Sequence, residues 1–552
     1  MLRCGPRRPA AARRSSRRRM RALAWSLGGA RAAAQDRIPT PARCSPNTSV
    51  RFRILHARLH VICLQPRRRH GRATGTWSAC TDALRCTGGI GDRRAEVAGM
   101  RTLWILPLAL TLAAAARAED VKRTAEYRRI RAYLDSIPAI DTHDHLFPFE
   151  IMRGRVKTER GEGMNLFSLW STSYLLRHTS ITRWPASGRF DDWWREARDD
   201  FDNVRAASYY RYMLPAYKDL YGVDFDAITD DQARVLNNRI FENYRDVRWI
   251  HEVVTKRAKI ELMLNDPYWA RLDFRTAYPF GVLVINVTPF LDAHHPEAVP
   301  APMDSPYAFA QQEGMRVGSL EEYVAVLDRI LQRGKEAGGV CLKTTTAYAR
   351  SLDFANASRD AAARAFGRRP DDVGPVDRKA FQDYIMWRIV ELAAKHGLPF
   401  QIHTGDAQIQ GSNPLLLVDL IQANPRTKFV LFHGGYPWIG ETGAIANRYR
   451  NVWIDSCWLP TISYSMAKRA YREWLEVMPS DRILWGADGN HAEGIYGATV
   501  MTRQCLAEAL AEKVRRGEIR LEDALRCGRQ ILRENALALF PALRGRVVQW
   551  PR

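Results

Sequence analysis

The sequence has few cysteines and no long apolar run after residue 119. Only four of its nine cysteines lie beyond that point: Cys341, Cys457, Cys505 and Cys527. None of these four belongs to a Cys-x-x-Cys pair, and they are too few and too widely spaced for a dense disulfide framework. The sequence leaves a pair between Cys505 and Cys527 open, but we expect isolated buried thiols. No later stretch approaches about 18 apolar residues, so no membrane-spanning helix is expected there.

Acidic residues are nearly absent from the first 99 positions, which hold 22 arginines, no lysine and four acids. These positions therefore carry +18 of the net charge of +23. An arginine-rich stretch without apolar periodicity does not form a folding domain. We expect residues 1–99 to be a disordered extension encoded upstream of the true start at Met100. The basic charge would otherwise suggest nucleic acid as a partner, and we expect none.

A secretory signal peptide is predicted at residues 100–118. One positive charge follows Met100, an apolar core covers residues 103–116, and a small-x-small cleavage pattern ends the segment. The apolar core is too short to anchor the chain in a bilayer. We therefore expect a protein exported to the periplasm or the medium, with no membrane contact after cleavage.

Residues 119–552 alternate short apolar runs with mostly helical patterns. The runs cover 139–143, 259–265, 281–287, 338–344, 398–404, 428–434, 451–456 and 482–488. Near-continuous apolar strands separated by helices indicate a parallel sheet covered by helices. No glycine-rich phosphate turn follows an early strand, which argues against a doubly wound open sheet. Eight such strands predict an α/β fold, a (β/α)₈ TIM-like barrel.

One connection is too long for an ordinary barrel. Residues 146–258 separate the first two strands, and they are rich in Trp, Tyr, Arg and Asp. We expect this insertion to be helical and to emerge at the carboxyl-end mouth of the barrel, where barrel active sites lie. A lid over the site is our expectation, and an oligomer contact is the alternative, so a homo-oligomer stays open.

Metal-binding residue types stand at the ends of five predicted strands: His143, His145, Lys343, His403, His433 and Asp488. Each alone has an ordinary explanation, such as a hydrogen-bonded core histidine or a capping aspartate. Because strand ends of one barrel meet at one mouth, their coincidence predicts a shared metal site. Imidazole and carboxylate ligands suit Zn²⁺, Mn²⁺ or Fe²⁺.

The same residues resemble the amidohydrolase superfamily of metal-dependent (β/α)₈ hydrolases. The resemblance is carried by His-x-His on the first strand, Lys on the fourth, His on the fifth and sixth, and Asp on the eighth. The segments LKTTTAYARSL, HTGDAQIQGSNPLLL, HGGYPWIGETGAIANRYRNVWID and GADGNHAEGIYGA are similar to the branch that includes the amidohydrolase module of nodulin-like glutamine synthetases. The long insertion is similar to that of uronate isomerases, although their paired-histidine and Trp-Arg segment is not seen.

The resemblance implies a ligand set and a reaction. His143, His145 and Asp488 would hold a first divalent metal, with Zn²⁺ expected first. His403 and His433 would complete a second site or divide between metal and substrate. Asp488 would take a proton from the attacking water and pass it to the leaving group, and His433 or His403 would stabilise the oxyanion.

Lys343 is open between two roles in this resemblance. It is either carboxylated and bridges two metals, or it stays a cation that binds a substrate carboxylate. A buried lysine without a partner costs several kcal/mol, so Lys343 must be modified, neutral or paired.

The expected substrate is a small molecule, carboxylated or aromatic, with an amide, lactone or related carbonyl bond. Four residues after the fourth and sixth strands are predicted to bind it: Tyr348, Arg350, Tyr436 and Trp438. Asp141 and Asp144 are expected to orient the histidines or to cap the strand. A non-hydrolytic decarboxylase or a uronate-type isomerase on the same frame is the alternative.

Overall fold

A computed structural model describes residues 120–175, 180–299 and 301–550. Eight parallel strands follow one another around one sheet in chain order. They are β1 Ala139–Asp144, β2 Ile260–Asn265, β3 Gly281–Asn286, β4 Cys341–Thr344, β5 Phe400–Ile402, β6 Phe429–Leu431, β7 Val452–Asp455 and β8 Ile483–Leu484. The extension and the signal peptide expected from the sequence lie outside the described residues.

The sheet closes between β1 and the chain that follows β8. The backbone N–H of Thr142 donates to the carbonyl of Trp485 at 3.2 Å, and that of Asp488 donates to the carbonyl of His143 at 3.0 Å. These bonds join the first strand to the last segment of the ring. The predicted (β/α)₈ barrel is therefore confirmed.

Helices cover the outside of the barrel. The longer ones outside the insertion are Ala125–Ser136, Leu320–Glu336, Pro375–His396, Ile439–Arg448, Tyr464–Val477, Ala492–Arg515 and Leu521–Arg529. Shorter ones are Pro306–Gln312, Arg359–Ala363, Val418–Ala423, Leu459–Ile462 and Asn535–Leu539. Gly397 ends its helix in the left-handed conformation at φ 67°, as its C-cap position in the sequence predicts.

The insertion between β1 and β2 is largely helical in its described part. Its helices are Phe190–Val204, Ser208–Arg211, Leu214–Tyr221, Asp230–Asn243 and Arg248–His251, and a short hairpin pairs Val156–Thr158 with Gly161–Gly163. Trp170 is fully buried at its centre, and the ring of Tyr210 stacks on it at 6.0 Å. The insertion therefore has an aromatic core of its own, which holds its mouth-facing residues in place.

The four cysteines of the described chain are free and buried, in line with the isolated thiols that we expected. Among the helices of the described ranges, none combines the length and the apolar character needed to cross a bilayer.

Candidate metal centre

The barrel brings all six predicted ligands to one cavity of about 260 Å³ at the carboxyl ends of the strands. The residues are His143, His145, Lys343, His403, His433 and Asp488. Parallel strands in a barrel all end at the same rim, which is why residues so far apart in sequence converge.

The first group of candidate ligands comes from β1 and from the chain after β8, the two segments whose hydrogen bonds close the barrel. The Nε2 atoms of His143 and His145 lie 3.3 Å apart, and His145 Nε2 lies 3.1 Å from Asp488 Oδ1. Two nitrogens bound to one tetrahedral Zn²⁺ at about 2.0–2.1 Å are separated by about 3.3–3.4 Å. The spacing of this pair therefore fits a shared ion.

A second pair of imidazoles faces the first group. His403 Nδ1 lies 2.9 Å from His433 Nε2, while the outer nitrogens of the two rings point at the carbonyls of Gly405 and Cys457, at 3.1 and 3.0 Å. A carbonyl only accepts, so each outer nitrogen must carry a proton. Two neutral rings then direct lone pairs at each other, and a shared cation relieves this contact.

The protonation states of the site suit metal binding. Burial lowers the pKa of His433 to about 3 and brings the pKa of His143 and of His403 well below its usual value. Burial alone would raise the pKa of Asp488, but the hydrogen bond from His145 and the electrostatic interaction with the surrounding histidines bring this pKa below its usual value. Neutral imidazoles beside an ionised carboxylate are the forms that bind a divalent cation.

Lys343 is the buried cation of the cavity, 1% exposed. Its Nζ lies 3.7 Å from the centre of the Phe432 ring, which favours a cation on its face. Within the described part of the chain, this Nζ makes no hydrogen bond, and no carboxylate lies within 4.0 Å of it. Burial lowers the pKa of this amine, and the charge of Asp488 opposes that effect.

Asp141 and Asp144 act on the backbone rather than on the imidazole rings. Asp141 Oδ1 accepts from the backbone N–H of His143 and of Ala487, both at 3.1 Å. Asp144 Oδ1 accepts from the N–H of Gly489. The two carboxylates therefore fasten β1 to the loop that carries Asp488, whose φ of 58° lies in the left-handed region.

Of the four residues predicted to bind substrate, Tyr348 lines the cavity. Its ring centre lies 4.5 Å from that of His403. Arg350 is not among the lining residues, because its guanidinium pairs with Asp383 Oδ1 at 2.7 Å and binds nearby carbonyls. Tyr436 and Trp438 are not lining residues either. Both precede the helix Ile439–Arg448.

The sequence prediction missed several residues in and beside the cavity. Asp266 follows β2, is 1% exposed and lies next to His143 and His145, although it is not a lining residue. Tyr268 lines the cavity and places its ring 4.7 Å from that of His145. Trp458 follows β7 and packs its ring 5.2 Å from that of His433. Their position at strand ends was the signal that could have found them, but aspartates and aromatics are common in such loops.

The insertion supplies the outer wall of the cavity. Its lining residues are Arg153, Thr172, Ser173, Tyr174, Tyr209 and Tyr212. Tyr174 and Tyr348 bring their hydroxyl oxygens within 3.1 Å across the mouth. The insertion is also tied to the barrel through the buried Glu493, which accepts hydrogen bonds from Tyr221 and Tyr244 at 2.6 and 2.5 Å.

Residues 310–542 match the family model described as Amidohydrolase. Protein fluG of Emericella nidulans is 33% identical over 176 residues, which is 30% of this chain and 20% of that protein. The chain thus spans about a fifth of the length of this relative.

Solved structures share the fold over most of the chain. The uronate isomerase of Thermotoga maritima is 13% identical with a TM-score of 0.60, covering 75% of this chain and 97% of its own. A Lactobacillus casei ATCC 334 protein described as a metal-dependent hydrolase is 18% identical with a TM-score of 0.54, over 76% and 99% of the two chains. The glucuronate isomerase of Caulobacter crescentus is 14% identical with a TM-score of 0.56, over 79% and 96%.

Proposed function

We propose that the chain is an enzyme of the amidohydrolase superfamily, a metal-dependent hydrolase of a small carbonyl substrate; the family-model match and the shared barrel fold support this. The observation that carries the proposal is the meeting of four imidazoles and the Asp488 carboxylate in one cavity. The residues that would hold the metal are His143, His145, His403, His433 and Asp488. The mixed nitrogen and oxygen donors fit Zn²⁺ first, with Mn²⁺ and Fe²⁺ as alternatives.

A divalent ion in this site would supply an activated water and would polarise the substrate carbonyl. Asp488 is ionised, so its carboxylate is ready to accept the proton of the attacking water and to deliver it to the leaving group. His433 holds its Nδ1 proton against the carbonyl of Cys457, which fixes the ring with Nε2 facing the cavity. Tyr174 and Tyr348, each 39% exposed, meet across the mouth and narrow it.

We assign Lys343 the role of a cation that binds an anionic group of the substrate. The contact of its Nζ with the Phe432 ring supports this assignment, because the ring face stabilises an ammonium and repels the anion that carboxylation would create. The tyrosine-rich wall suits a carboxylated or aromatic molecule of modest size.

A uronate-type isomerase is the second candidate. Two observations favour it: the fold is similar to that of a uronate isomerase and of a glucuronate isomerase, and a long insertion follows β1. An assay for aldose–ketose interconversion of uronates, run beside hydrolysis of amides and lactones, separates the two activities.

The test is metal analysis of the purified chain by plasma mass spectrometry, with activity screened before and after chelation. We expect bound divalent metal in the wild type and its loss in the double variant His143→Ala, His145→Ala. His396→Ala is the control, because His396 pairs with Asp328 away from the cavity. A wild type that binds no divalent metal would overturn the hydrolase proposal.

We also propose that the enzyme is exported and cleaved after Ala118. N-terminal sequencing of the protein from its native host should then begin at Glu119. A start at Met1 would contradict export through this segment.

A further inference from the structure

Asp266 is a buried carboxylate beside the metal centre that the mechanism above does not use. It follows β2 and is 1% exposed. Its Oδ1 has no hydrogen-bond partner among the described residues. Leaving a carboxylate oxygen buried and unpaired costs free energy, so its position requires a partner.

The surrounding residues hold this carboxylate in one orientation. The side-chain amide of Asn286 donates to Asp266 Oδ2 at 2.8 Å, and the N–H of Thr288 donates to the amide oxygen of Asn286 at 3.0 Å. The backbone N–H of Asp266 donates to the carbonyl of Asp144 at 2.9 Å. With Oδ2 and the backbone held in this way, Oδ1 is the atom left for a ligand.

His143 and His145 lie next to the carboxylate of Asp266. One ligand atom of each of the three residues lies within 4.8 Å of the other two. No ring nitrogen of His143 or His145 lies within 4.0 Å of an Asp266 carboxylate oxygen, the limit for an ion pair. In the described residues, no lysine or arginine nitrogen lies within that distance either. Ligands about 2.1 Å from one ion lie about 3.0–4.2 Å apart, so small side-chain rotations bring all three to a common ion.

We propose that Asp266 is a ligand of the divalent ion held by His143 and His145, with Oδ1 as the binding atom. This inference rests on the proposed metal centre. In the barrel β1 lies between β2 and the segment after β8, so Asp266 and Asp488 reach the histidines from opposite sides. A carboxylate ligand from β2 leaves Asp488 available for proton transfer.

The test compares the metal affinity of the full chain with that of three variants, measured by competition with a chelator for Zn²⁺ and for Co²⁺. Asp266→Asn removes the charge with little change of shape, and Asp266→Glu keeps a carboxylate. Asp304→Asn is the matched control, because Asp304 also has a buried unpartnered Oδ1 but pairs with Arg271 instead of facing imidazoles. The visible spectrum of the Co²⁺ form reports the ligand set independently of turnover.

We expect Asp266→Asn to weaken metal binding at least about 10-fold and to change the Co²⁺ spectrum, while the Asp304→Asn variant matches the wild type. Asp266→Glu should recover part of the affinity, which shows that a fold defect is not the cause. Wild-type affinity and spectrum in Asp266→Asn would overturn the role of Asp266 and leave the metal centre standing. A wild type that binds neither ion would overturn the metal centre, and the inference with it.

Discussion

Asp488 lies 3.1 Å from the Nε2 of His145, although one residue follows the first strand of the barrel and the other follows the last. The contact is made by a residue in the left-handed backbone region, with φ of 58°. Asn tolerates this region better than most residues. A substitution of Asp488 by Asn therefore tests the role of the carboxylate in catalysis without straining the backbone.

Replacing Asp488 with Asn should lower kcat by about 10²–10⁴-fold, because the carboxylate that accepts the proton becomes an amide. We expect the melting temperature to change little, since the amide preserves the shape and the backbone conformation. Steady-state kinetics on the best substrate from the screen and a thermal melt measure both quantities. Turnover equal to that of the wild type would remove Asp488 from proton transfer.

Replacing Lys343 with Met should raise KM for an anionic substrate by about 10-fold or more while the metal content stays unchanged. The ammonium supplies a charge-assisted contact that Met cannot make, and Met fills a similar volume against Phe432. Plasma mass spectrometry and kinetics on matched charged and neutral substrates give the two readouts. A fall from two metals to one in the variant would instead show that Lys343 is carboxylated and bridges the ions.

Replacing Arg350 with Ala should destabilise the fold by about 2 kcal/mol and leave KM almost unchanged. The cost arises because Asp383, 2% exposed, loses its contact at 2.7 Å with the guanidinium and keeps only the ion pair with Lys379 at 2.6 Å. Urea unfolding and kinetics at a temperature where the variant is folded provide the comparison. Tyr348→Phe is the counterpart, and we expect it to raise KM a few-fold with little effect on stability. A raised KM with unchanged stability in Arg350→Ala would instead place Arg350 at the substrate.

The stability of the fold should depend on pH through Asp455. Burial raises the pKa of this carboxyl to about 7. Thr142 Oγ1 contacts both Asp455 Oδ2, at 2.5 Å, and the carbonyl of Trp485, at 2.7 Å. The hydroxyl has one proton, which the carbonyl requires, so the short contact to Asp455 needs a protonated carboxyl.

Because this pKa is higher in the folded than in the unfolded chain, the folded state retains a proton that the unfolded state releases between about pH 4 and 7. The contribution of Asp455 to stability is therefore complete below about pH 4 and is lost as the pH rises to about 7. Asp455→Asn keeps the hydrogen bonds and removes the titration. From about pH 5 to pH 8 the wild type should lose about 1–3 kcal/mol more unfolding free energy than the variant. Equal losses in urea titrations would contradict this expectation.

The order and type of the strands could be predicted from the sequence, but their ends could not. All eight apolar runs overlap a barrel strand, yet β8 ends at Leu484 although its run continues to Asp488. Past Leu484 the chain bonds to β1 to close the ring, and that tertiary contact leaves no mark in the apolar pattern. The short hairpin within the insertion was missed because its strands are only three residues long and carry no run of apolar residues.

The candidate ligands could be predicted because histidine is rare and strand ends share one rim. The surrounding residues could not, since their role depends on where loops turn. A short 3₁₀ turn at Thr346–Tyr348 follows β4, and beyond it Arg350 binds Asp383 on a neighbouring helix instead of entering the mouth. Asp266 was overlooked because an aspartate directly before a proline, here Pro267, is typical of a turn.

The barrel closes by joining β1 to the chain after β8, so the site can be completed only late in synthesis. His143 and His145 leave the ribosome early, and Asp488 leaves it after all the other ligands. A nascent chain that lacks the β8 segment would offer the imidazoles of the proposed site without the Asp488 carboxylate beside them. Such a chain would lack the proton acceptor of the proposed reaction, so we expect activity only after the two ends of the domain meet.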